Sequence, residues 1–370
     1  MNNLSDVRLA LIFKDFAAWI RSSCVGLNVA GYTTAKVLRQ NGIDTVVFPV
    51  RHNVDVVEAI DAYNETHDAP LTHVVISAPW LSIHDLKALI ENFKDTQFVI
   101  LSHSNVGFLQ ADPNAVYLLR KYHELAETHS NIKVGGNSMK FVEWLQQAYG
   151  REVVLLPNLY PLPASPTAKE WNGTAPLKIG AFGAVRPYKN FMTAAAAAIV
   201  IHRFLNVPIE LHMSTGGECG TIEAIEQMCA NVHGVKLIKH EWAFWDKFIQ
   251  LIAKMDLLLQ VSYTESFNLI TADGIAVGVP SVVSSAIHWA PESWKADSDN
   301  VIDVARVGLS LLSGPNREAG FEALRKHNEY SLQFWIAYLL EQTIFVHGSA
   351  PESKKKWYRR FRSGFWSVFF

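Results

Sequence analysis

Two carboxylates eight residues apart, Glu265 and Asp273, and two cations three residues apart, Arg186 and Lys189, are the groups in this chain best placed to do chemistry. Glu265 lies in a polar turn, Ser262-Tyr263-Thr264-Glu265-Ser266. The turn follows an apolar run, 257–261, that reads as a buried strand, and precedes an apolar-periodic stretch, 267–277, that reads as a helix. Gly278-Val279-Pro280 stops that helix before another strand at 281–283. A helix start offers free N–H groups and the positive end of the helix dipole, so the turn suits a phosphate. Asp273 lies two helical turns further, ~12 Å away at ~1.5 Å per residue, on a nearby face. Two acids so spaced can hold the ends of one elongated, hydroxyl-rich ligand. A nucleoside diphosphate sugar has such ends, with its diphosphate between them. Arg186 and Lys189 sit in IGAFGAVRPYKN, 179–190, again between a strand and a helix. There they would neutralise a diphosphate leaving group, the arginine as a bidentate fork and the lysine as a point charge. The plainer alternatives are a capping glutamate in an ordinary strand–turn–helix and a solvated turn.

Other candidates are single residues. His103, in VILSHS, falls at the carboxyl end of a strand and faces the same expected cleft. A lone histidine is more often structural. Trp242 and Trp245, in HEWAFWDKF, precede a helix and read either as core or as a platform for a base. Gly216-Gly217, after His212-Met213-Ser214-Thr215, is a weak signal, mostly of a flexible turn. Asp297-Ser298-Asp299 has the form of a D-x-D metal motif, but it immediately precedes a helical pattern, where aspartate caps are expected. No His/Cys spacing suggests zinc, and no metal site is assigned.

The elements that must position these groups alternate along the chain. Strands are predicted at 9–13, 44–50, 73–78, 97–101, 133–134 and 153–156, with helices at 27–40, 83–93, 115–128 and 139–148. Residues 160–176, YPLPASPTAKEWNGTAP, are rich in proline and small polar residues and read as a linker. A second series follows, with strands at 177–182, 209–213 and 235–238 and helices at 191–205, 222–232 and 245–254. Helices at 301–312 and 318–342 close it. The alternation predicts an α/β protein of two Rossmann-like halves, each with a mostly parallel, doubly wound sheet, and a ligand cleft between them. The expected divisions are a first domain at 1–160, a linker at 161–176, a second domain at 177–345 and a tail at 346–370.

Segment 261–285 resembles the acid-x7-acid region of retaining glycosyltransferases of family four, which have the GT-B fold. That family usually reads S-x-x-E-x-F-G, a second Glu, then A-x-G-x-P. Glu265, Phe267, Gly278 and Pro280 match, whereas Asn268 replaces the Gly and Asp273 the second Glu. Segment 179–190 is similar to the family's G-R-L-x-x-x-K-G loop. Lys189 aligns with its lysine, Ala184 stands at its arginine position, and Arg186 comes two residues later. His103 matches a histidine that contacts the donor sugar in many members. Gly26 sits where the family has a glycine-rich loop, and Asn137-Ser138 through Leu156-Pro157-Asn158 resembles its N-S…V-x-x-I-P-N-G run.

The resemblance implies a metal-independent transfer of a sugar from a nucleotide diphosphate donor, such as a UDP-sugar, with retention and without a cofactor. His103, Glu265, Arg186 and Lys189 would be catalytic. Gly26, Ser266, Phe267, Asn268, Asp273 and Trp242 would bind the donor. The family picture is front-face attack, the departing phosphate taking the acceptor's proton. The N-terminal half would hold the acceptor, by default a glycan or lipid-linked saccharide, with a hydroxymethylated base of phage DNA as a second choice. A sugar-nucleotide epimerase and a non-catalytic sugar-nucleotide-binding protein are the other readings.

Composition bounds these readings. At 370 residues, 49% hydrophobic and 18% charged, the chain suits two soluble domains. No apolar stretch reaches the ~18 residues of a membrane span, and the start does not read as a signal peptide. Cys24, Cys219 and Cys229 lack C-x-x-C spacing and read as free thiols of a cytoplasmic protein. Residues 352–370 carry six Lys/Arg and one Glu, while the rest has 27 basic and 34 acidic residues, so the body has no general footprint for nucleic acid. In that tail Trp357, Phe361, Phe365 and Phe369 recur at helical spacing. The stripe suits contact with a membrane surface, contact with nucleic acid, or a helix docked on the protein's own body.

Overall fold

Strands made of aliphatic runs, buried on both faces, build two separate parallel sheets. The structure, a computed structural model, describes residues 3–15, 25–165, 171–173, 176–216, 220–314 and 318–341. The tail 352–370, Cys24 and Cys219 lie outside the described residues. The first sheet contains β1 (Arg8–Lys14), β2 (Asp44–Val50), β3 (His73–Ser77), β4 (Gln97–Ser102), β5 (Ile132–Gly136) and β6 (Val154–Leu155), in the order β2-β1-β3-β4-β5-β6. Every pairing is parallel. Helices α1 (Val25–Gln40), α2 (Val54–Thr66), α3 (Ile83–Asn92), α4 (Val106–Leu109), α5 (Pro113–Leu125) and α6 (Met139–Tyr149) connect the strands. The second sheet contains β7 (Leu177–Ala181), β8 (Ile209–Ser214), β9 (Val235–His240), β10 (Leu257–Gln260) and β11 (Ser281–Val283), also parallel, in the order β11-β10-β7-β8-β9. Helices α7 (Phe191–Leu205), α8 (Thr221–Ala230), α9 (Trp245–Ile252), α10 (Leu269–Ala276), α11 (Val301–Ser313) and α12 (Ala319–Leu339) accompany it.

The expected α/β architecture with two Rossmann-like sheets is the one observed. Helix α2 escaped the sequence reading. Its inward positions Val56, Ile60 and Tyr63 are separated by acids, and Asn53, which looks like a cap, makes no side-chain capping bond. Helix α10 starts two residues later than expected, because Asn268 at φ 69° cannot be part of a right-handed helix.

The strand orders place the site. The chain leaves β1 toward β2 on one side, then returns past β1 to β3 on the other. In the second sheet it runs β7-β8-β9, then crosses back to β10 on the far side of β7. Loops at such a reversal diverge and open a crevice at the carboxyl ends of the strands. One crevice therefore lies between the loops after β1 and β3, the other between those after β7 and β10.

Helix α12 ties the halves together. Leu324 belongs to the core of the second half, whereas Phe334, Trp335 and Leu339 are buried in the cores of the first. The sequence reading placed this helix wholly in the second domain; its C-terminal half packs on the first. Along its length His327 Nε2 meets the Asn158 carbonyl at 3.0 Å, Asn328 Nδ2 donates to the Tyr160 carbonyl at 2.7 Å, and Trp335 Nε1 donates to the Pro157 carbonyl at 2.8 Å.

Candidate functional site

The two crevices join in one cleft of about 430 Å³, lined from both halves. On the second half, the loops after β7 and β10 are stitched to each other. Asn190, at φ 59° between the turn Pro187–Lys189 and α7, donates through Nδ2 to the carbonyls of Val261 (3.0 Å) and Ser298 (2.7 Å). The Tyr263 N–H donates to the Tyr188 carbonyl at 2.8 Å. This stitching sets Lys189 Nζ 2.6 Å from Glu265 Oε1, with only 19% and 9% of the two side chains exposed. The same Oε1 accepts from Ser262 Oγ at 2.8 Å and from Asn268 Nδ2 at 2.9 Å. Asn268 caps α10, its Oδ1 accepting from the Thr271 N–H at 2.9 Å. Asparagine is the side chain that best tolerates positive φ, which accounts for Asn where the resembling family has Gly. Arg186 Nη1 donates to the Tyr188 hydroxyl at 2.6 Å, and its guanidinium lies 4.8 Å from the ring centre of Phe108, across the cleft on α4.

Deeper in the cleft, Asp273 is buried, and its Oδ1 accepts from the Tyr160 hydroxyl (2.6 Å) and Trp245 Nε1 (3.0 Å). Burial pushes its carboxyl up to about 6, against the two donors that favour the charged form. Trp245 is therefore a half-buried partner of Asp273. Trp242 lies against the backbone of Gly216, where an added Cβ would come within 1.8 Å of its Nε1. That indole N–H is buried without a partner in the protein.

On the first half, His103 follows β4. Its Nδ1 faces Asn137 Nδ2 at 3.4 Å, and its Nε2 is buried without a partner. Desolvation lowers its pKa to about 4, so the ring is neutral at neutral pH. Ser266 of the second half donates to the His103 carbonyl and accepts from Asn137 Nδ2, each at 3.2 Å. These bonds join the walls of the cleft. At the crevice after β1 and β3, Lys14 Nζ lies 5.5 Å from the centre of a Trp80 ring.

The cleft thus gathers all ten of the predicted site residues: His103, Arg186, Lys189, Glu265, Gly26, Ser266, Phe267, Asn268, Asp273 and Trp242. Two occupy different settings from those expected. Gly26 stands in the first turn of α1, within a helix, and a Cβ there would meet only Leu269, at 3.7 Å. The Phe267 ring is buried, stacked on Trp289 at 5.1 Å, and so supports the turn from beneath. The D-x-D segment is also not the helix cap that was expected. Asn300 caps α11, while Asp297 accepts from the Asp299 N–H. Among the described residues, no group of three His, Cys, Asp or Glu could hold a metal ion, and no helix is long and apolar enough to cross a membrane. Sequence reasoning missed Lys14, Trp80, Phe108 and Tyr160. The first two lie at the end of β1 and just past the end of β3, at the switch point, a signal that needs the strand order to be read.

Neither a family model nor a curated protein matches the chain. Solved structures do resemble it. Sucrose-phosphate synthase from Thermosynechococcus elongatus aligns with a TM-score of 0.56 at 14% identity, over 96% of this chain and 100% of that one. HepE from Anabaena, in complex with UDP and glucose, aligns with a TM-score of 0.52 at 16% identity, over 90% and 99%. A TarM variant from S. aureus, bound to fondaparinux, alpha-GlcNAc-glycerol and UDP, gives 0.54 at 14% identity, over 72% of this chain. This chain spans about half of TarM's length, 55%. These likenesses establish the two-domain GT-B fold.

Proposed function

We propose that the protein is a glycosyltransferase that moves a sugar from a nucleotide diphosphate donor to an acceptor hydroxyl. The observation that carries this reading is the Lys189–Glu265 pair, held at 2.6 Å between two loops at the switch point of the second sheet, with Arg186 alongside. A donor lying there sets its diphosphate against Arg186 and Lys189 and its sugar hydroxyls against Glu265. Asp273 and Trp242 face its nucleoside end. As the C1–O bond to phosphate breaks, the two cations and the start of α10 stabilise charge on the leaving diphosphate. The acceptor oxygen bonds to C1, and its proton passes to the departing phosphate oxygen.

Retention is the favoured outcome because each described carboxylate on the cleft is already engaged. Glu265 accepts from three donors, Asp273 from two, and Asp112 caps α5. None of them is free to act as the general base that inverting, back-face attack by the acceptor needs, whereas front-face attack uses the departing phosphate for that proton. UDP is the first donor nucleotide to test, since it is bound in HepE and TarM structures of the same fold.

Purified protein is incubated with UDP-glucose, UDP-N-acetylglucosamine and UDP-galactose, with and without a mixture of glycan acceptors. UDP release is measured, and the anomeric configuration of the product is read by NMR. Acceptor-dependent UDP release with an α-linked product supports the reading. Conversion of the donor sugar without an acceptor would make the protein an epimerase. A β-linked product would overturn retention and make neutral His103 the candidate base.

A further inference from the structure

We propose that Trp80, with Lys14 beside it, is the acceptor subsite, and that it takes a saccharide ring laid on the indole. This rests on the donor placement above and extends it to the other wall of the cleft. The rule that puts the donor loops at the reversal between β7 and β10 picks out one place in the first sheet, the reversal between β1 and β3. Lys14 ends β1, and Trp80 follows β3 by three residues. Both line the same cleft as Lys189 and Glu265, on the opposite wall.

The backbone there is bent to present the indole. Ala78 adopts φ 70°, a left-handed conformation that an L-residue with a Cβ rarely takes. It is held by its N–H donating to the Leu101 carbonyl at 2.8 Å. Such strain persists where the surroundings enforce it, and it gathers at binding sites. Trp80 is fixed at its edge, Nε1 donating to the Ser77 carbonyl at 3.0 Å, and it packs on the core of the first half while remaining half-exposed to the cleft. The outcome is a rigid aromatic ring with the Lys14 ammonium over its face, 5.5 Å from the ring centre, and a saccharide laid on the indole displaces that flexible lysine tip to its rim. An indole face suits the apolar C–H face of a pyranose, and an ammonium beside it donates to the ring's hydroxyl oxygens. A DNA base could also stack on an indole. Outside residues 352–370, however, the chain has 27 basic and 34 acidic residues, which does not suit a polyphosphate backbone. The saccharide is therefore the class assigned.

Saturation-transfer NMR tests this on the full chain with 1 mM UDP. The probes are methyl glucosides, methyl galactosides, methyl N-acetylglucosaminides and their disaccharides. The ring protons of at least one sugar should saturate in the wild type. Trp80→Ala should weaken that binding roughly five- to tenfold, with Trp80→Phe intermediate and Lys14→Ala also weaker. UDP signals should persist in all of the variants, which also reports that they are folded. UDP saturation without any sugar saturation, or equal sugar binding in wild type and Trp80→Ala, overturns the acceptor assignment alone. Loss of UDP signals in the wild type overturns the donor reading and this proposal with it. Binding of a fluorescent duplex DNA that depends on Trp80 would replace the saccharide by a base.

Discussion

At the scale of the residue, Asn268 shows how one side chain can meet several demands. It accepts a left-handed backbone, caps α10 and donates to Glu265. Asn268→Ala should therefore destabilise the protein by about 2 kcal/mol, from αL strain and the lost cap. Asn268→Gly, which keeps the backbone freedom, should cost only a few tenths in stability by the same cap series. Urea denaturation compares the two, and equal losses would contradict this account. In activity, Lys189→Ala and Glu265→Ala should each lower turnover by on the order of 10²-fold, as for loss of a preorganised electrostatic contact. Turnover unchanged in folded variants would remove both from the mechanism. The charged residues of the site were legible because their types and spacing carry chemistry directly. Trp80, Tyr160 and Phe108 were not, since an aromatic residue in sequence reads the same whether it fills a core or faces a ligand.

At the scale of the element, parallel strands could be read from their continuous apolar runs, and most helices from periodicity. Position was harder to read than type. Nothing in the residues of β1 or β7 announces that each is a central strand beside a switch point; that follows from the strand order. The role of α12 was similarly hidden. Its apolar residues predict a helix, but not that Leu324 serves one core and Trp335 another. Trp335 is fully buried and bonded to the Pro157 carbonyl. Trp335→Ala should cost about 3–5 kcal/mol, as large buried aromatics do. Chemical denaturation checks this, and a loss below 1 kcal/mol would show that α12 is not a structural tie between the halves.

At the scale of the whole molecule, pH should act through buried imidazoles. His73, His103, His123 and His327 are each lowered to about 4 by burial. Between 6.5 and about 4 the unfolded chain takes up protons that these rings refuse in the fold, so stability falls as pH drops. Asp273, raised to about 6 by burial, works in the opposite direction between 3.8 and about 6, where the folded form binds the extra proton. Four groups against one predict a net drop in Tm from pH 7 to pH 5. Asp273→Asn should steepen it. A flat Tm across that range, measured by differential scanning fluorimetry, would show that these rings are not held neutral. The central claim is that the cleft binds a nucleoside diphosphate through Lys189 and Arg186, and calorimetric titration of UDP into wild type and Lys189→Ala tests it most directly. The wild type should bind saturably, with a stabilisation of ~2.7 kcal/mol at a hundredfold excess over Kd, and the variant should bind at least tenfold more weakly. No heat from the wild type with UDP, GDP or ADP at millimolar concentration, or equal affinity in wild type and variant, would contradict it.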